Sequence, residues 1–244
     1  PALTEWLLGY IRQIDYIRTN SLDGGFSIEE AWKRYRMLPS SFTSTATKNT
    51  SVAPLLTCNW DQDSYYNALC PDDIDGPGGK VYAGCVATAM AQVMYYYRYP
   101  QQGTGSYSFY HYTYGTQSAN FGATQYRYDE MGDIATYKSH YEIAQLIYHC
   151  GVAVDMGYSP TGSGAYSYDA AWALKNYFGY SSSLDLEGKS GYSSSGWKQL
   201  LRSNLDAGHP MYYHGFGSGG HAFNVDGYQN NDHFHFNWGW SGYY

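Results

Sequence analysis

The fold of this chain is decided by residues 84–97, which read Gly84-Cys-Val-Ala-Thr-Ala-Met-Ala-Gln-Val-Met-Tyr-Tyr-Tyr97. After the opening glycine the stretch is apolar on most sides and rich in small residues, and such a pattern predicts a buried helix at the centre of a domain. The glycine-containing loop 77–84 comes immediately before it. Cys85 is therefore predicted to stand in the first turn of a central helix, where the chain leaves a loop.

On the C-terminal side of this stretch, helical patterns come first and strand patterns last. Apolar spacing predicts helices in three segments, at about 140–150, 168–178 and 196–206. After Pro210 three segments are predicted to be strands: 211–216, 221–226 and 233–238. Residues 103–128, rich in Asn, Gly and Tyr, are expected to form irregular strands and loops. Helices followed by strands indicate an α+β chain with two lobes.

The N-terminal part of the chain has a different character. Residues 1–38 carry two helical patterns, whereas residues 39–52 are rich in Ser and Thr and show no periodicity, as expected of a linker. Exposed segments of this kind are where proteolysis concentrates. We therefore expect a boundary near residue 50, with a removable segment before it and one globular domain, 51–244, after it.

The composition excludes several classes of protein. The chain has 244 residues, a formal net charge of −7 and no Lys/Arg block, so nucleic acid is not an expected partner, because an acidic surface repels phosphate. No apolar run approaches the ~18–20 residues of a membrane span. The content of 30 tyrosines excludes a disordered chain, and together with 28 glycines and few lysines it is typical of exported proteins. A secreted, extracellular protein without a membrane partner is expected.

Cys85 has the position of a reactive thiol. The dipole of the predicted helix favours a thiolate at its first turn, which lowers the pKa of a cysteine there. The free N–H groups of that turn can donate to an oxyanion, and Gly84 permits a substrate backbone to come close. The position alone leaves an alternative open, in which Cys85 is a buried thiol at the start of a hydrophobic helix.

The other three cysteines have different surroundings. Cys150 ends an apolar helical stretch and is predicted to be a small core residue. Cys58 and Cys70 lie in loop-like sequence, and a disulfide between them is compatible with an exported chain. The sequence leaves the bridged and the free state open for this pair.

His221 is the strongest candidate for the base that a thiolate needs. It follows the loop Gly217-Ser-Gly-Gly220, which allows close approach of a ligand, and it opens the apolar strand 222–226. His214 is expected near the cleft without an assigned role. Four other histidines are expected to be surface or satisfied residues: His111, His140, His149 and His209. The strand that carries His233 and His235 has no third ligand at recognisable spacing, so no metal site and no cofactor are predicted.

A third group would orient the imidazole of His221. Asp226 lies five residues later, on the opposite face of a regular strand, and is therefore a poor candidate unless a bulge intervenes. A hairpin through 229–232 would instead bring 237–240 back across 221–224. Asn237 or Trp238 can then reach the imidazole, by an amide hydrogen bond or by ring packing.

Five short motifs, taken in their order along the chain, carry a family resemblance. They are Gly84-Cys-Val-Ala-Thr-Ala-Met-Ala-Gln92, Val154-Asp-Met156, Gly219-Gly-His-Ala-Phe223, Asp226-Gly227 and Asn237-Trp-Gly-Trp240. With these motifs the chain resembles the streptopain family of cysteine peptidases, especially its interpain-type members, over about residues 52–244. The resemblance implies an α+β, papain-like two-lobed fold, in which the central helix of one lobe starts at the nucleophile and an antiparallel sheet lobe carries the histidine.

The resemblance also implies roles for individual residues. Cys85 would be the nucleophile and His221 its base, while Asn237 and Trp238 would occupy the region that orients the histidine. Substrates would be proteins and peptides. Because the family makes secreted zymogens, residues 1–50 would be the end of a pro-domain plus linker, and the pro-domain would inhibit its own catalytic domain.

Glycine-rich segments are predicted to line the cleft. Gly84, Gly219 and Gly220 are the predicted substrate-binding residues. The glycine-rich loops 161–165 and 215–220 are predicted to be mobile walls of the cleft. Gly79 stands where papain-like enzymes often place a glutamine as second oxyanion donor, so only the backbone N–H of Cys85 is assigned to that role. The chain stops soon after the tryptophan motif, so the C-terminal end of the domain is expected to be missing.

Two other classes of protein fit part of the pattern. A transglutaminase-like acyltransferase would use the same Cys85 and His221 and deliver the acyl group to an amine, usually with an aspartate as third member. An adhesive or sugar-binding module would explain the Tyr, Gly and Asn content by aromatic stacking, and would leave Cys85 an ordinary thiol.

Overall fold

The computed structural model describes residues 51–137, 139–217, 219–230 and 233–243. The chain divides into two units, Pro1–Lys48 and Asn49–Tyr244, and the described residues belong to the second. The helices predicted within 1–38 and most of the predicted linker lie outside the described residues. Among the residues that are described, no helix is both long enough and apolar enough to cross a membrane.

Four α-helices and six strands make up the described domain. The helices are α1 (Cys85–Tyr97), α2 (His140–Ala153), α3 (Ser167–Asn176) and α4 (Ser194–Asp206). The strands are β1 (Ser51–Val52), β2 (Tyr107–His111), β3 (Gly115–Ala119), β4 (Met211–Phe216), β5 (Gly220–Gln229) and β6 (His233–Asn237). Single 3-10 turns lie at Pro77–Gly79, Phe121–Ala123 and Lys189–Gly191. The order of helices before the main sheet confirms the α+β prediction.

Helix α1 is the buried centre that its sequence predicts. Its residues 86–95 are all buried, polar Thr88 and Gln92 included. The chain enters the helix at Gly84 with φ +94°, and it leaves at Arg98 in the left-handed region, where the Arg98 N–H donates to the carbonyls of Met94 and Tyr95. A helix that is apolar on all sides must be surrounded by protein.

The core around α1 is formed by helices α2 and α3 and by the hairpin of β2 and β3. Large fully buried side chains fill it, among them Trp60, Phe121, Ile143, Leu146 and Phe178. Cys150 is fully buried within this core, as predicted. Because α2 and α3 pack against one side of α1, the opposite side is left for the sheet.

The main sheet is antiparallel, with β5 pairing with β1, β4 and β6. Strand β5 contacts α1 on one side, while a second core beyond it holds Trp197, Leu201 and Leu205 of α4 against Val225 and Tyr228. Helix α1 is therefore sandwiched between the helical core and β5.

Three details differ from the sequence prediction. Ser51 and Val52, assigned to the linker, form a short strand that pairs with Gln229 and Tyr228 of β5. Strand β5 continues three residues beyond the predicted end at 226, because it gains this partner. The pairing of β5 with β6 also contains a register shift between Val225 and Gly227, which alternation alone does not reveal.

The four cysteines are free thiols. Cys58 and Cys70 are buried, and neither the loop around 58 nor the loop around 70 is closed by a disulfide. The bridged alternative for this pair is therefore absent from the described structure. Burial raises the pKa of Cys70 to about 12 and also raises that of Cys58.

Candidate active site

Cys85 is the first residue of α1 and is partly exposed, whereas the following residues of the helix are buried. Its backbone N–H and those of the next residues begin the helix and have no intrahelical acceptor. Gly84 before it is buried, and a Cβ built at this glycine would lie 2.5 Å from the Met156 sulfur. The positive φ and the packing of Met156 together explain why a glycine precedes the thiol.

His221 is the second residue of β5 and is half-buried. Its Nε2 lies 2.9 Å from the backbone carbonyl oxygen of Trp238. Because a carbonyl oxygen can only accept, this contact places a proton on Nε2 and leaves Nδ1 as the nitrogen that exchanges a proton. Burial lowers the pKa of His221, and the Trp238 carbonyl opposes that change.

Aromatic rings surround this imidazole. The ring of Trp240 is centred 4.7 Å from that of His221, and the rings of Phe223 and Trp238 are centred 5.9 Å and 6.2 Å away. Packing on several sides limits rotation of the imidazole. The predicted ring packing of Trp238 is observed, and the hydrogen bond to His221 comes from its backbone carbonyl.

The side chain of Asn237 makes other contacts. Its Oδ1 accepts from Gln92 Nε2 at 2.9 Å and from the Gly239 N–H at 3.2 Å, and its Nδ2 donates to the Cys58 carbonyl at 2.7 Å. The predicted hairpin does bring Asn237 opposite Asn224. Asn237 and Trp238 were both predicted as possible orienting groups for His221, and the hydrogen bond to His221 is made by the backbone carbonyl of Trp238.

The start of α1 and the main sheet meet near Tyr212 of β4. Helix α1 contacts β4 as well as β5, and Cys85 and Tyr212 both pack against the core around α1. Burial raises the pKa of Tyr212, and its hydrogen bond with Ser167 opposes that rise. Tyr212 pairs with Asn224 of β5, and its hydroxyl is 2.7 Å from Ser167 Oγ. Cys85 and the strand pair that carries His221 thus border the same region, between the helical core and the sheet.

The predicted substrate-binding glycines fall into two groups. Gly84 adjoins Cys85 and packs on Met156 and Ser163. Gly219 and Gly220 are exposed before His221, and the carbonyl of Gly219 accepts from the Gly217 N–H at 2.9 Å in a tight turn. A side chain at Gly219 would meet open space, while one at Gly220 would touch the Phe216 ring.

Asp226 is held away from His221. Its buried carboxylate accepts from the Leu56 N–H at 3.0 Å and contacts His235 Nδ1 at 2.6 Å. Burial raises the pKa of Asp226, and the hydrogen bonds from His235 and Leu56 oppose that rise. Asp226 lies at the register shift between Val225 and Gly227, and its hydrogen bonds go to Leu56 after β1 and to His235 of β6.

Two buried amide side chains between α1 and β5 were not predicted from the sequence as part of the site. Gln92 and Asn224 are fully buried, and Asn224 Nδ2 donates to Gln92 Oε1 at 2.8 Å. A signal was present in the sequence, since Gln92 is a long polar residue inside an otherwise apolar helix, seven residues after Cys85. Seven residues are two helical turns, so both side chains lie on one face of α1.

Comparison with known proteins gives one consistent result. The profile of the Peptidase C10 family matches residues 60–244. The thiol protease/hemagglutinin PrtT of Porphyromonas gingivalis is 36% identical over 249 residues, which cover 98% of this chain and 28% of PrtT. Streptopain of Streptococcus pyogenes is 31% identical over 244 residues, which cover 88% of this chain and 60% of streptopain. The chain thus spans between about a quarter and three fifths of the length of these relatives.

Solved structures show the same relationship. Active wild-type interpain A of Prevotella intermedia, a cysteine protease, superimposes with a TM-score of 0.74 at 37% identity, over 81% of this chain and 85% of interpain A. A fragment of prointerpain A gives a TM-score of 0.73 at the same identity, over 81% of this chain and 64% of the fragment. This likeness confirms the papain-like fold predicted from the motifs.

Proposed function

Because the chain belongs to the peptidase C10 family, we propose that it is a cysteine endopeptidase that hydrolyses peptide bonds in proteins with Cys85 as nucleophile and His221 as base. The observation that carries the proposal is the state of the imidazole. His221 keeps a proton on Nε2 through the Trp238 carbonyl, so that Nδ1 is available to a thiol. Cys85 starts a buried helix at its positive end, and it is the thiol that we propose exchanges a proton with Nδ1.

The reaction would proceed in two halves. In the first, Nδ1 of His221 takes the proton of the Cys85 thiol, and the thiolate attacks the carbonyl carbon of the substrate. The negative oxygen that forms is stabilised by the backbone N–H of Cys85 at the start of α1. Collapse of this intermediate breaks the C–N bond, and the imidazolium gives its proton to the leaving amine.

In the second half, the acyl group is bound to Cys85 as a thioester. His221, neutral again, takes a proton from water, and the hydroxide attacks the thioester carbonyl. The C–S bond breaks, the carboxylic acid product leaves, and the proton returns to the sulfur. Every proton in this cycle passes through Nδ1 of His221, since Nε2 stays on the Trp238 carbonyl.

We also propose that the protein is made as a secreted zymogen. Residues 1–50 would be the end of a pro-domain and its linker, and the pro-domain would act as an intramolecular inhibitor of 51–244. Two observations support this proposal: the Ser/Thr-rich stretch 39–52, which crosses the boundary between the two units of the chain, and the likeness to a prointerpain fragment. The extracellular location is supported by the composition, rich in Tyr and Gly and poor in Lys.

The test is the intact mass of the protein after treatment with a peptidyl epoxide that alkylates activated thiols. Wild type, Cys85→Ala and His221→Ala are compared under reducing conditions. We expect one adduct on wild type, none on Cys85→Ala, and much slower modification of His221→Ala. An equal adduct on Cys85→Ala, or an unmodified wild type, would contradict the assignment of the nucleophile. Adding an amine acceptor to a peptide substrate distinguishes hydrolysis from acyl transfer by the product formed.

A further inference from the structure

Three buried amide side chains form a continuous relay between α1 and the sheet. Asn224 Nδ2 donates to Gln92 Oε1 at 2.8 Å, Gln92 Nε2 donates to Asn237 Oδ1 at 2.9 Å, and Asn237 Nδ2 donates to the Cys58 carbonyl at 2.7 Å. Gln92 and Asn224 are 0% exposed and Asn237 is 8% exposed. We call Asn224, Gln92 and Asn237 the amide relay.

The groups around the relay fix its direction. At one end Asn224 Nδ2 also donates to the Ala89 carbonyl at 3.2 Å, and at the other end Asn237 Nδ2 meets the Cys58 carbonyl. Both of these carbonyls can only accept, so both NH₂ groups must point at them. Asn237 Oδ1 must then face Gln92, and Gln92 must present its own NH₂ group to it.

The relay ends on the peptide unit that holds the histidine. Asn237 Oδ1 accepts from the N–H of Gly239, and the carbonyl of the same peptide unit, that of Trp238, accepts from His221 Nε2. The peptide plane between residues 238 and 239 is thus held at both of its polar ends. Hydrogen bonds in such a chain polarise one another in the interior of a protein.

The relay also has a cost that packing alone does not explain. Asn224 Oδ1 is buried and has no hydrogen-bond partner among the described residues. An unpaired buried acceptor destabilises a folded protein. The Asn224 side chain is held in this orientation by the two hydrogen bonds that its Nδ2 donates, to Gln92 and to Ala89.

We propose that Gln92 is a positioning residue, which sets the place of His221 relative to Cys85 through Asn237 and the Trp238–Gly239 peptide. Cys85 and Gln92 share one face of α1, and Asn224 lies three residues after His221 on β5. The relay therefore joins the helix of the nucleophile to both strands that hold the base. The proposal rests on the proposed function, since it concerns the same pair of residues.

The direction of the relay allows a sharp test with Gln92→Glu. A glutamate carboxylate has the shape of the glutamine but would place an acceptor against Asn237 Oδ1, where a donor is needed. A protonated glutamic acid restores the pattern, because its O–H donates to Asn237 while its C=O accepts from Asn224. The ionisable groups beside the relay are His221, on the peptide unit where the relay ends, Asp226, bonded to His235, and the buried thiol of Cys58.

The experiment measures the rate of Cys85 alkylation by iodoacetamide between pH 5 and pH 8, together with unfolding by urea. The variants are Gln92→Glu, Gln92→Met and the control Tyr126→Phe. The methionine side chain has a similar length to glutamine but cannot form the hydrogen bonds of the relay. Tyr126 is a buried residue of the helical core whose hydroxyl is 2.9 Å from His149 Nδ1, so the control loses a buried hydrogen bond away from the site.

At pH 8 both Gln92 variants are expected to react about tenfold more slowly than wild type, a loss in the range of coupled buried networks. As the pH falls, the Gln92→Glu rate is expected to return towards wild type, while the ratio of Gln92→Met to wild type stays constant. Tyr126→Phe is expected to keep the wild-type rate. If the Gln92 variants do not fold, Asn224→Ser removes the first donor of the relay without changing α1, and is expected to slow alkylation in the same way.

Two results would decide against this assignment in different ways. Gln92 variants that react as fast as Tyr126→Phe at equal unfolding free energy would show that the relay stabilises the fold and positions nothing. If wild-type Cys85 itself reacts no faster than glutathione at the same pH, it is the proposed peptidase function that fails. The wild-type rate therefore separates the failure of the function from the failure of the positioning role.

Discussion

Acid is expected to destabilise this domain through His149 of α2. Its imidazole is 7% exposed, and burial lowers its pKa from 6.5 to about 4. Tyr126 contacts Nδ1 at 2.9 Å, and the rings of Phe121 and Tyr148 are centred 5.6 Å and 6.3 Å away. The folded state therefore holds His149 neutral at a pH where the unfolded chain is already protonated.

The difference between the folded and unfolded pKa of His149 sets how the unfolding free energy changes with pH. A folded pKa below the unfolded one contributes stability above pH 6.5, and that contribution is lost as the pH falls towards 4. The difference between a pKa of 6.5 and one of about 4, at 1.36 kcal/mol for each tenfold change in acidity, corresponds to roughly 3 kcal/mol of unfolding free energy. That loss is a large part of the total stability of an ordinary domain.

The assay is urea unfolding, followed by tryptophan fluorescence, at several pH values between 7.5 and 4. The change of the unfolding free energy with pH is compared between wild type, His149→Gln and His209→Gln. His149→Gln lacks the titrating group, and His209→Gln is a control at an exposed histidine. The variant at 149 is expected to lose about 3 kcal/mol less than wild type over this range. Equal pH dependence in wild type and His149→Gln would refute the reasoning, because other titrating groups are common to both proteins.

Three further outcomes are expected. Gly84→Ala is expected to lose about 2 kcal/mol of unfolding free energy, because alanine at φ +94° is strained and its Cβ would meet Met156; an unchanged urea midpoint would contradict this. One thiol of the four is expected to react rapidly with Ellman's reagent in the native protein and all four in urea, since Cys58, Cys70 and Cys150 are buried; two fast thiols in the native state would contradict it. Incubation of the full chain is expected to produce cleavage within 39–52 in wild type and none in Cys85→Ala, as seen by mass spectrometry, and an intact linker in both would argue against a removable pro-segment.

The local pattern of the sequence predicted the elements that depend on it. Residues 85–97 form a helix with the predicted bounds, because a long apolar stretch between Gly84 and Arg98 has one compatible structure. Strand β4 was likewise predicted over 211–216 as observed. The short strand at Ser51–Val52 was missed, since two residues carry no periodicity and the strand exists only through its pairing with β5.

The site was predicted in part. The helix start at Cys85 and the strand that begins near His221 follow from local sequence, and so does the return of 237 across 224. Alternation on a regular strand also predicted that Asp226 would be a poor orienting group for His221, and the hydrogen bond to His221 comes from Trp238. The direction of side-chain hydrogen bonds depends on tertiary contacts, however, so the relay through Gln92, and the backbone origin of the acceptor for His221, could be found only from the structure.

An acceptor supplied by the main chain changes how the site responds to mutation. Any residue at position 238 brings a carbonyl, so substitution of Trp238 removes a ring and leaves the acceptor of His221 Nε2 in place. The orientation of the imidazole is therefore robust to side-chain replacement at 238 and sensitive to a change in backbone path. Gly239, with φ +68° and with Thr88 3.2 Å from the place of a Cβ, is therefore a position where selection for activity is expected to tolerate little change.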